Sequence, residues 1–322
     1  MPDPLRILLH NSETSALKAK TRASFPDVIV EECRSYTDLP DHLHRFRPDV
    51  VYTVRFDGTP GYPREALFGR SGPDWVANGG AGIDLFGVWD HAKTNVTNTA
   101  GVAADMMAEF VIGAFLHFTL DVSGLQADKA QRHWRARTVR PINGQTLLIV
   151  GLGQTGRAIA KRARAFGMTV IGTRARPQAM EHMHEVHAAS DLHKLLARAD
   201  FIAVSTPLTE TTRGLLGTEE FALMKQGVIL ADVSRGGVIN GDAIRAALES
   251  GHVAAAALDV FETEPLPKDS SFWSTLNTLI SPHASSVFHG WEDASFDLFL
   301  KNLGNWIEGR PLFNVVDPKR GY

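Results

Sequence analysis

Three short stretches late in the chain each close an apolar run with a side chain able to act on a carbonyl. Ala231-Asp232-Val233-Ser234-Arg235-Gly236-Gly237 presents Arg235. Leu258-Asp259-Val260-Phe261-Glu262-Thr263-Glu264-Pro265 presents Glu264, and Ser281-Pro282-His283 presents His283. The runs before them read as strands. An open parallel sheet binds ligands beyond the carboxyl ends of its strands, so the three groups are expected at one crevice. Their types fit reduction of a 2-keto acid. Hydride addition to a ketone builds negative charge on the carbonyl oxygen, and a protonated imidazole can donate to that oxygen. A neighbouring carboxylate favours the protonated imidazole. A guanidinium can hold the substrate carboxylate and polarise the carbonyl. Taken singly, each residue has a plainer reading as a structural or solvated side chain.

The hydride would come from a dinucleotide. Gly151-Leu152-Gly153-Gln154-Thr155-Gly156 follows an apolar strand and opens a helix that Gly167 is placed to end. Gly151 suits the tight turn, Gly153 the close approach of backbone to a pyrophosphate, and Gly156 the packing of helix on strand. The helix N-terminus adds free amides and a positive dipole end for phosphate. At the end of the following strand stands Thr173-Arg174-Ala175-Arg176. A ribose 2′-hydroxyl is usually met there by a carboxylate. Two guanidinium groups suit a 2′-phosphate instead, so the expected cofactor is NADP(H) rather than NAD.

These groups need a scaffold of alternating strands and helices. Strands are expected over residues 5–10, 28–30, 50–54 and 75–77, then 146–150, 168–173, 201–205, 228–233, 253–257 and 276–280. Helices are expected over 12–25, 36–46, 103–119, 154–166 and 288–307, with a polar, Arg-rich arm over 121–145 that wraps a neighbour. Such alternation predicts an α/β fold of parallel sheets covered on both faces. The 322 residues are comfortable for two domains. A net charge of −3 argues against nucleic acid as a partner. No apolar stretch is long enough for a membrane span. One cysteine, Cys33, cannot form an internal disulfide and reads as a structural or surface thiol. With no leader pattern at the N-terminus, a cytoplasmic location is expected.

From Gln145 to Ser285 the chain resembles the D-isomer-specific 2-hydroxyacid dehydrogenase family. The resemblance is carried by the glycine loop, Ser205-Thr206-Pro207-Leu208-Thr209-Glu210-Thr211-Thr212-Arg213-Gly214, and the Arg235, Glu264 and His283 stretches. Gly79-Gly80-Ala81-Gly82-Ile83-Asp84 and Val96-Thr97-Asn98 match more loosely. The resemblance implies two Rossmann-like, doubly wound domains. A cofactor domain, 102–285, would be inserted into a flavodoxin-like substrate domain, 1–101 with 286–322. It implies Arg235 as substrate anchor, Glu264 as partner of the imidazole and His283 as acid/base. It places Asp259 at the nicotinamide carboxamide, and Thr206, Pro207 and Val233 along the cofactor. Amides around Gly79, Gly80, Ala81 and Gly82 would hold the substrate carboxylate. It further implies a homodimer built on the helix from Ala103 and the arm after it; Trp134 in that arm reads as packing rather than a substrate contact, since aromatic side chains usually bury. The pair Arg174 and Arg176 resembles the NADP-preferring glyoxylate/hydroxypyruvate reductase branch. Other relatives oxidise formate or phosphite, or sense cofactor without catalysis. Val287, Phe288 and Trp291 either shape an apolar substrate pocket or join the core of the last helix. Arg55 and Phe56 either meet substrate or lie at the surface.

Overall fold

Aliphatic and β-branched runs alternate with amphipathic segments along the chain, and the runs become parallel strands. The computed structural model describes residues 3–56 and 61–317. The chain divides into two units, one running to Val102 and resuming at His289, the other spanning Ala103–Phe288.

The first unit holds β1 (Arg6–His10), α1 (Ser15–Ser24), β2 (Ile29–Cys33), α2 (Leu39–Phe46), β3 (Val50–Thr53), α3 (Arg64–Leu67), β4 (Trp75–Asn78) and β5 (Asn95–Thr97). Its sheet is parallel, in the order β2-β1-β3-β4-β5. Side chains alternate across a strand, and β1 shows the consequence. Ile7 and Leu9 pack with Tyr52 and Trp75 on one face, while Leu8 packs with Leu39, Leu43 and Phe46 of α2 on the other. Cys33 is buried in that second face.

The second unit opens with α4 (Ala104–Thr119) and α5 (Val122–Gln131). Then come β6 (Thr146–Val150), α6 (Gln154–Ala165), β7 (Thr169–Arg174), β8 (Glu185–Ala188), α7 (Leu192–Leu196) and β9 (Phe201–Val204). It ends with α8 (Thr218–Leu223), β10 (Val228–Asp232), α9 (Gly241–Glu249), β11 (Val253–Leu258) and β12 (Thr278–Ile280). The seven strands are parallel, in the order β12-β11-β10-β9-β6-β7-β8. The chain runs outward from β6 through β7 to β8, then returns to build β9 to β12 on the other side. The strand order therefore switches between β6 and β9, the position at which doubly wound sheets bind ligands. Val111, Ile112 and Phe115 of α4 and Ile159 and Ala163 of α6 cover one face, and α7, α8 and α9 cover the other. The last helix, α10 (Trp291–Ile307), belongs to the first unit, where Phe296, Phe299 and Leu303 join the core of Ile7, Tyr52 and Trp75.

Several elements depart from expectation. β5 and β8 are additional strands, and the arm contains α5. Arg137 binds Asp121 and sits 2.5 Å from Asp128, so the basic arm is tied down by acids of α5 and its N-cap. Trp134, expected to pack, is fully exposed on this chain. It lies beyond Arg132, where α5 has ended in a left-handed turn and no further element supports the chain. Among the described residues no single helix is long and apolar enough to cross a membrane.

Candidate active site

Six neighbouring strand ends of the second unit carry the residues singled out in its sequence. Across the carboxyl edge stand His283 after β12, Asp259 and Glu264 after β11, Arg235 after β10, Thr206 after β9, the glycine loop after β6, and Arg174 ending β7. Asp232 pairs in register with Leu258, and Leu258 with Ile280. The turns bearing Arg235 and His283 thus rise from strands on either side of β11, about 10 Å apart at the usual strand spacing.

His283 and Glu264 form a geometric pair. Nδ1 of the imidazole lies 2.8 Å from Oε2 of Glu264. An ionised carboxylate only accepts, so Nδ1 carries the proton and Nε2 is left for chemistry. Glu264 is fixed in turn, because its Oε1 accepts from the Phe261 amide at 3.0 Å. His283 has a φ of 54°, a left-handed conformation rare for a residue with a side chain. Its own amide donates to the Asp259 carbonyl at 2.8 Å, which holds it there. Arg235 is half-buried and donates from Nη1 to the Ser234 carbonyl at 2.7 Å.

The glycine loop fits a dinucleotide phosphate. Gly151 has a φ of 99°, and a Cβ there would stand 2.9 Å from the Thr206 backbone. A Cβ on Gly156 would stand 2.2 Å from the Gly151 carbonyl, so α6 packs on the loop only with glycine. Gly153, the N-cap of α6, has nothing within 4 Å of its Cβ position, which leaves open space above the helix N-terminus. Leu152 is buried beneath, and Gln154 and Thr155 begin the helix. Thr155 Oγ1 reaches Met107 Sδ at 3.6 Å. Thr173 is buried, and its carbonyl receives the amides of Gly151 and Leu152 at 3.2 and 3.1 Å, so it shapes the loop. Among the described residues neither Arg174 nor Arg176 makes an ion pair. Arg174 is half-buried with Nη1 3.3 Å from Met180 Sδ, and Arg176 is exposed. No carboxylate closes β7, so a 2′-phosphate meets no repulsion from that strand end. Pro207 accepts at its carbonyl from Thr212 Oγ1 at 2.6 Å, and Val233 is buried with its amide on the Val204 carbonyl at 3.0 Å.

Asp259, expected beside a carboxamide, has both oxygens engaged within the unit. Oδ1 accepts from the Ala284 and Ser285 amides at 2.8 and 3.0 Å, and Oδ2 from Ser285 Oγ at 2.5 Å. Asp232 does the same for the Arg235 turn, accepting at Oδ1 from the Ser234 amide and hydroxyl at 2.9 and 2.5 Å. Neither serine is among the candidate residues that the sequence offers. A buried Asp at a strand end, two residues before a Ser, is the available signal for the Asp232 turn. The Asp259 contact spans 26 residues and leaves no local pattern.

In the first unit, residues 79–82 follow β4 as a turn whose carbonyls are all engaged. Thr99 Oγ1 donates to Gly79, the Thr99 amide to Gly80, Asn98 Nδ2 to Ala81, and Asn78 Nδ2 to Gly80 and Gly82. The amides of Gly80, Ala81 and Gly82 make no hydrogen bond among the described residues. A run of free amides with the carbonyls turned away is suited to an anion. Arg55, just beyond β3, is exposed. Phe56 instead packs its ring 5.1 Å from His10 and 4.7 Å from Tyr36. Trp291 packs on the core around Phe296, whereas Val287 is exposed and Phe288 half-buried.

The family model described as D-isomer specific 2-hydroxyacid dehydrogenase, NAD binding domain, matches residues 112–285. The chain is 33% identical over 255 residues to the glyoxylate reductase of Thermococcus litoralis, a match covering 75% of this chain and 76% of that one. It is 32% identical over 247 residues to the D-3-phosphoglycerate dehydrogenase of Methanocaldococcus jannaschii, covering 75% of this chain but only 47% of that longer relative. A D-isomer specific 2-hydroxyacid dehydrogenase from Xanthobacter autotrophicus, solved in complex with NADPH and MES, superposes with a TM-score of 0.84 at 28% identity. That match covers 99% of this chain and 100% of that one.

Proposed function

The chain belongs to the D-isomer-specific 2-hydroxyacid dehydrogenase family, and from that premise we propose that it reduces a small 2-keto acid to the D-2-hydroxy acid with NADPH. The observation that carries this reading is the His283–Glu264 pair, 2.8 Å apart, on the same sheet edge as Arg235 and the glycine loop. Gly151 to Gly156 and the start of α6 would hold the pyrophosphate, and Arg174 and Arg176 the 2′-phosphate. The reduced nicotinamide supplies the hydride when bound. When the ring carries a proton on both nitrogens, His283 gives the one on Nε2 to the carbonyl oxygen, and Glu264, accepting from Nδ1, orients the ring for this. Arg235 pairs with the substrate carboxylate and polarises the carbonyl. The free amides of Gly80, Ala81 and Gly82 in the first unit are of the right chemistry for an anion such as a carboxylate. The name of the Thermococcus relative makes glyoxylate the first substrate to test, with hydroxypyruvate beside it.

We assign the exposed apolar side chains of Leu120, at the end of α4, and of Leu125, Trp134 and Val139, in α5 and the arm, to a contact with a second copy. Light scattering of the chain and of Trp134→Ala would then show a dimer weakened by the substitution.

The deciding experiment follows NADPH oxidation with a panel of 2-keto acids. Turnover of glyoxylate or hydroxypyruvate, with much slower turnover when NADH replaces NADPH, is the expected outcome. Absence of turnover across the panel would overturn the reading.

A further inference from the structure

Two buried aspartates stand side by side at the ends of β10 and β11. The Asp259 amide donates to the Asp232 carbonyl at 3.0 Å, and the His283 amide to the Asp259 carbonyl at 2.8 Å. A backbone ladder therefore runs from Asp232 through Asp259 to His283. Each carboxylate holds the turn that carries one reactive side chain. Asp259 binds Ala284 and Ser285, directly after His283. Asp232 binds the amide and hydroxyl of Ser234, directly before Arg235, and the Ser234 carbonyl receives Arg235 Nη1. Both aspartates and both serines are nearly inaccessible, between 1 and 3% exposed.

We propose that Asp232 is a positioning residue for Arg235: its carboxylate fixes the Ser234 turn, and the Ser234 carbonyl then fixes the guanidinium. It works as the counterpart of Asp259, which fixes the His283 turn from the neighbouring strand. The inference rests on the reading of Arg235 as substrate anchor.

A carboxylate is an unusual choice for this position. Burying a charge costs more than burying an amide that could make the same contact. Burial pushes Asp232 up to about 7, against the pull of the Ser234 hydrogen bonds, with the nearby Asp259 charge raising it and Arg235 lowering it. Val204, its partner on β9, contributes no charge. The cavity of about 470 Å³ that Asp232 also lines adds Asp242, Arg245, Glu262 and Asp269. Oδ1 accepts from the Ser234 amide whether or not Oδ2 carries a proton, so the turn is held in both states. An asparagine carbonyl would hold it as well.

The test compares Asp232→Ala, Asp232→Asn, Ser234→Ala, Arg235→Ala and the double variant Asp232→Ala/Arg235→Ala. Steady-state kinetics with glyoxylate, NADPH binding by fluorescence, and amide exchange over residues 233–237 are the readouts. Asp232→Ala and Ser234→Ala should raise the glyoxylate KM at least about tenfold, the size of one charge-assisted contact, with NADPH affinity within about twofold. Asp232→Asn should recover most of that loss. The double variant should be no worse than Arg235→Ala, because positioning is lost once with its target. Exchange over 233–237 should quicken in Asp232→Ala. The inference is overturned if the Asp232→Ala loss adds in full to that of Arg235→Ala, or if glyoxylate KM and exchange are unmoved. It is equally overturned if NADPH affinity falls as far as the glyoxylate KM rises, as a general structural loss would produce. Should Asp232→Ala not fold, Ser234→Ala and Asp232→Asn carry the same comparison. A wild-type protein with no turnover would refute the proposed function, and exchange at 233–237 would then decide the positioning role alone.

Discussion

His283 Nδ1 meets Glu264 Oε2 at 2.8 Å, and the imidazole sits on a backbone with a φ of 54°. A side chain in the left-handed region costs on the order of 1–3 kcal/mol and persists only where the surroundings impose it. Here the imposing contacts are the His283 amide on the Asp259 carbonyl and the Asp259 carboxylate on the next two amides. A structural role for His283 alone would need neither the strained backbone nor the paired acid.

His283→Ala should therefore lower kcat about 10²- to 10⁴-fold, the usual worth of a general acid, while NADPH affinity is kept. Glu264→Gln keeps the size of the side chain but removes the charge that stabilises a protonated ring. It should lower kcat less than His283→Ala, and combining the two changes should add little to His283→Ala. Steady-state kinetics on the three variants check this. Near-normal turnover in His283→Ala would remove the residue from the mechanism.

Arg174 and Arg176 have no carboxylate to satisfy among the described residues, and both lie at the β7 end where a ribose is read. Changing both to Ala should raise the NADPH KM at least about tenfold, since each charge-assisted contact is worth about 1.5–3 kcal/mol. The NADH KM should move little. Equal changes for the two cofactors would show that the arginines do not read the 2′-phosphate.

Gly153 and Gly156 separate cofactor binding from folding. A Cβ on Gly153 meets nothing within 4 Å, and its φ of −77° suits any residue. Gly153→Ala should leave the melting temperature nearly unchanged and cut NADPH affinity, because the methyl group enters the space above the helix N-terminus. A Cβ on Gly156 would lie 2.2 Å from the Gly151 carbonyl. Gly156→Ala should cost about 1–3 kcal/mol of stability, as overpacking does. Thermal melts with and without NADPH distinguish them. A Gly153→Ala protein that binds NADPH normally would place the pyrophosphate elsewhere.

The strands that carry chemistry were legible in the sequence because they are buried on both faces. Leu147 to Val150, Phe201 to Val204 and Val228 to Ala231 are unbroken apolar runs. β8, Glu185–Ala188, lies at the sheet edge, is only half-buried and alternates Glu, Val, His and Ala, so no apolar run marks it. β2 runs on through Glu31 and Glu32 because their charges are met by Arg45 and Lys18, pairings that local periodicity cannot show. The turn at Gly151 and the close packing at Gly156 were legible, since backbone geometry dictates the residue type at both. The Asp259 contact with Ser285 and the exposure of Trp134 were not, because both depend on chain segments brought together, or left apart, by the fold.

Two buried titrating groups give the protein opposing pH dependences. His10 lies fully buried against Tyr36 and Phe56, with Nδ1 2.9 Å from Thr53 Oγ1. Burial lowers it to about 4, the Ser35 carbonyl opposing. Between about 4 and its ordinary 6.5, the unfolded chain binds a proton that the folded chain does not, so stability falls as pH falls. Asp232 behaves in the opposite sense. Raised from 3.8 to about 7, it keeps a proton in the folded state that the unfolded chain releases, so stability falls as pH rises through that window. The two slopes oppose each other from about 4 to 6.5, and above 6.5 that of Asp232 stands alone. Asp232→Asn should flatten the decline from pH 6.5 to 8 and be more stable than wild type at the upper end. His10→Gln should expose the Asp232 slope in the acid range, so that stability rises on going from pH 6 to 5. Urea midpoints at half-unit intervals of pH measure both, and the comparison is of slopes, so any packing lost with the imidazole drops out. Parallel curves for wild type and Asp232→Asn above pH 6.5 would mean that Asp232 holds its charge in the interior at all those pH values.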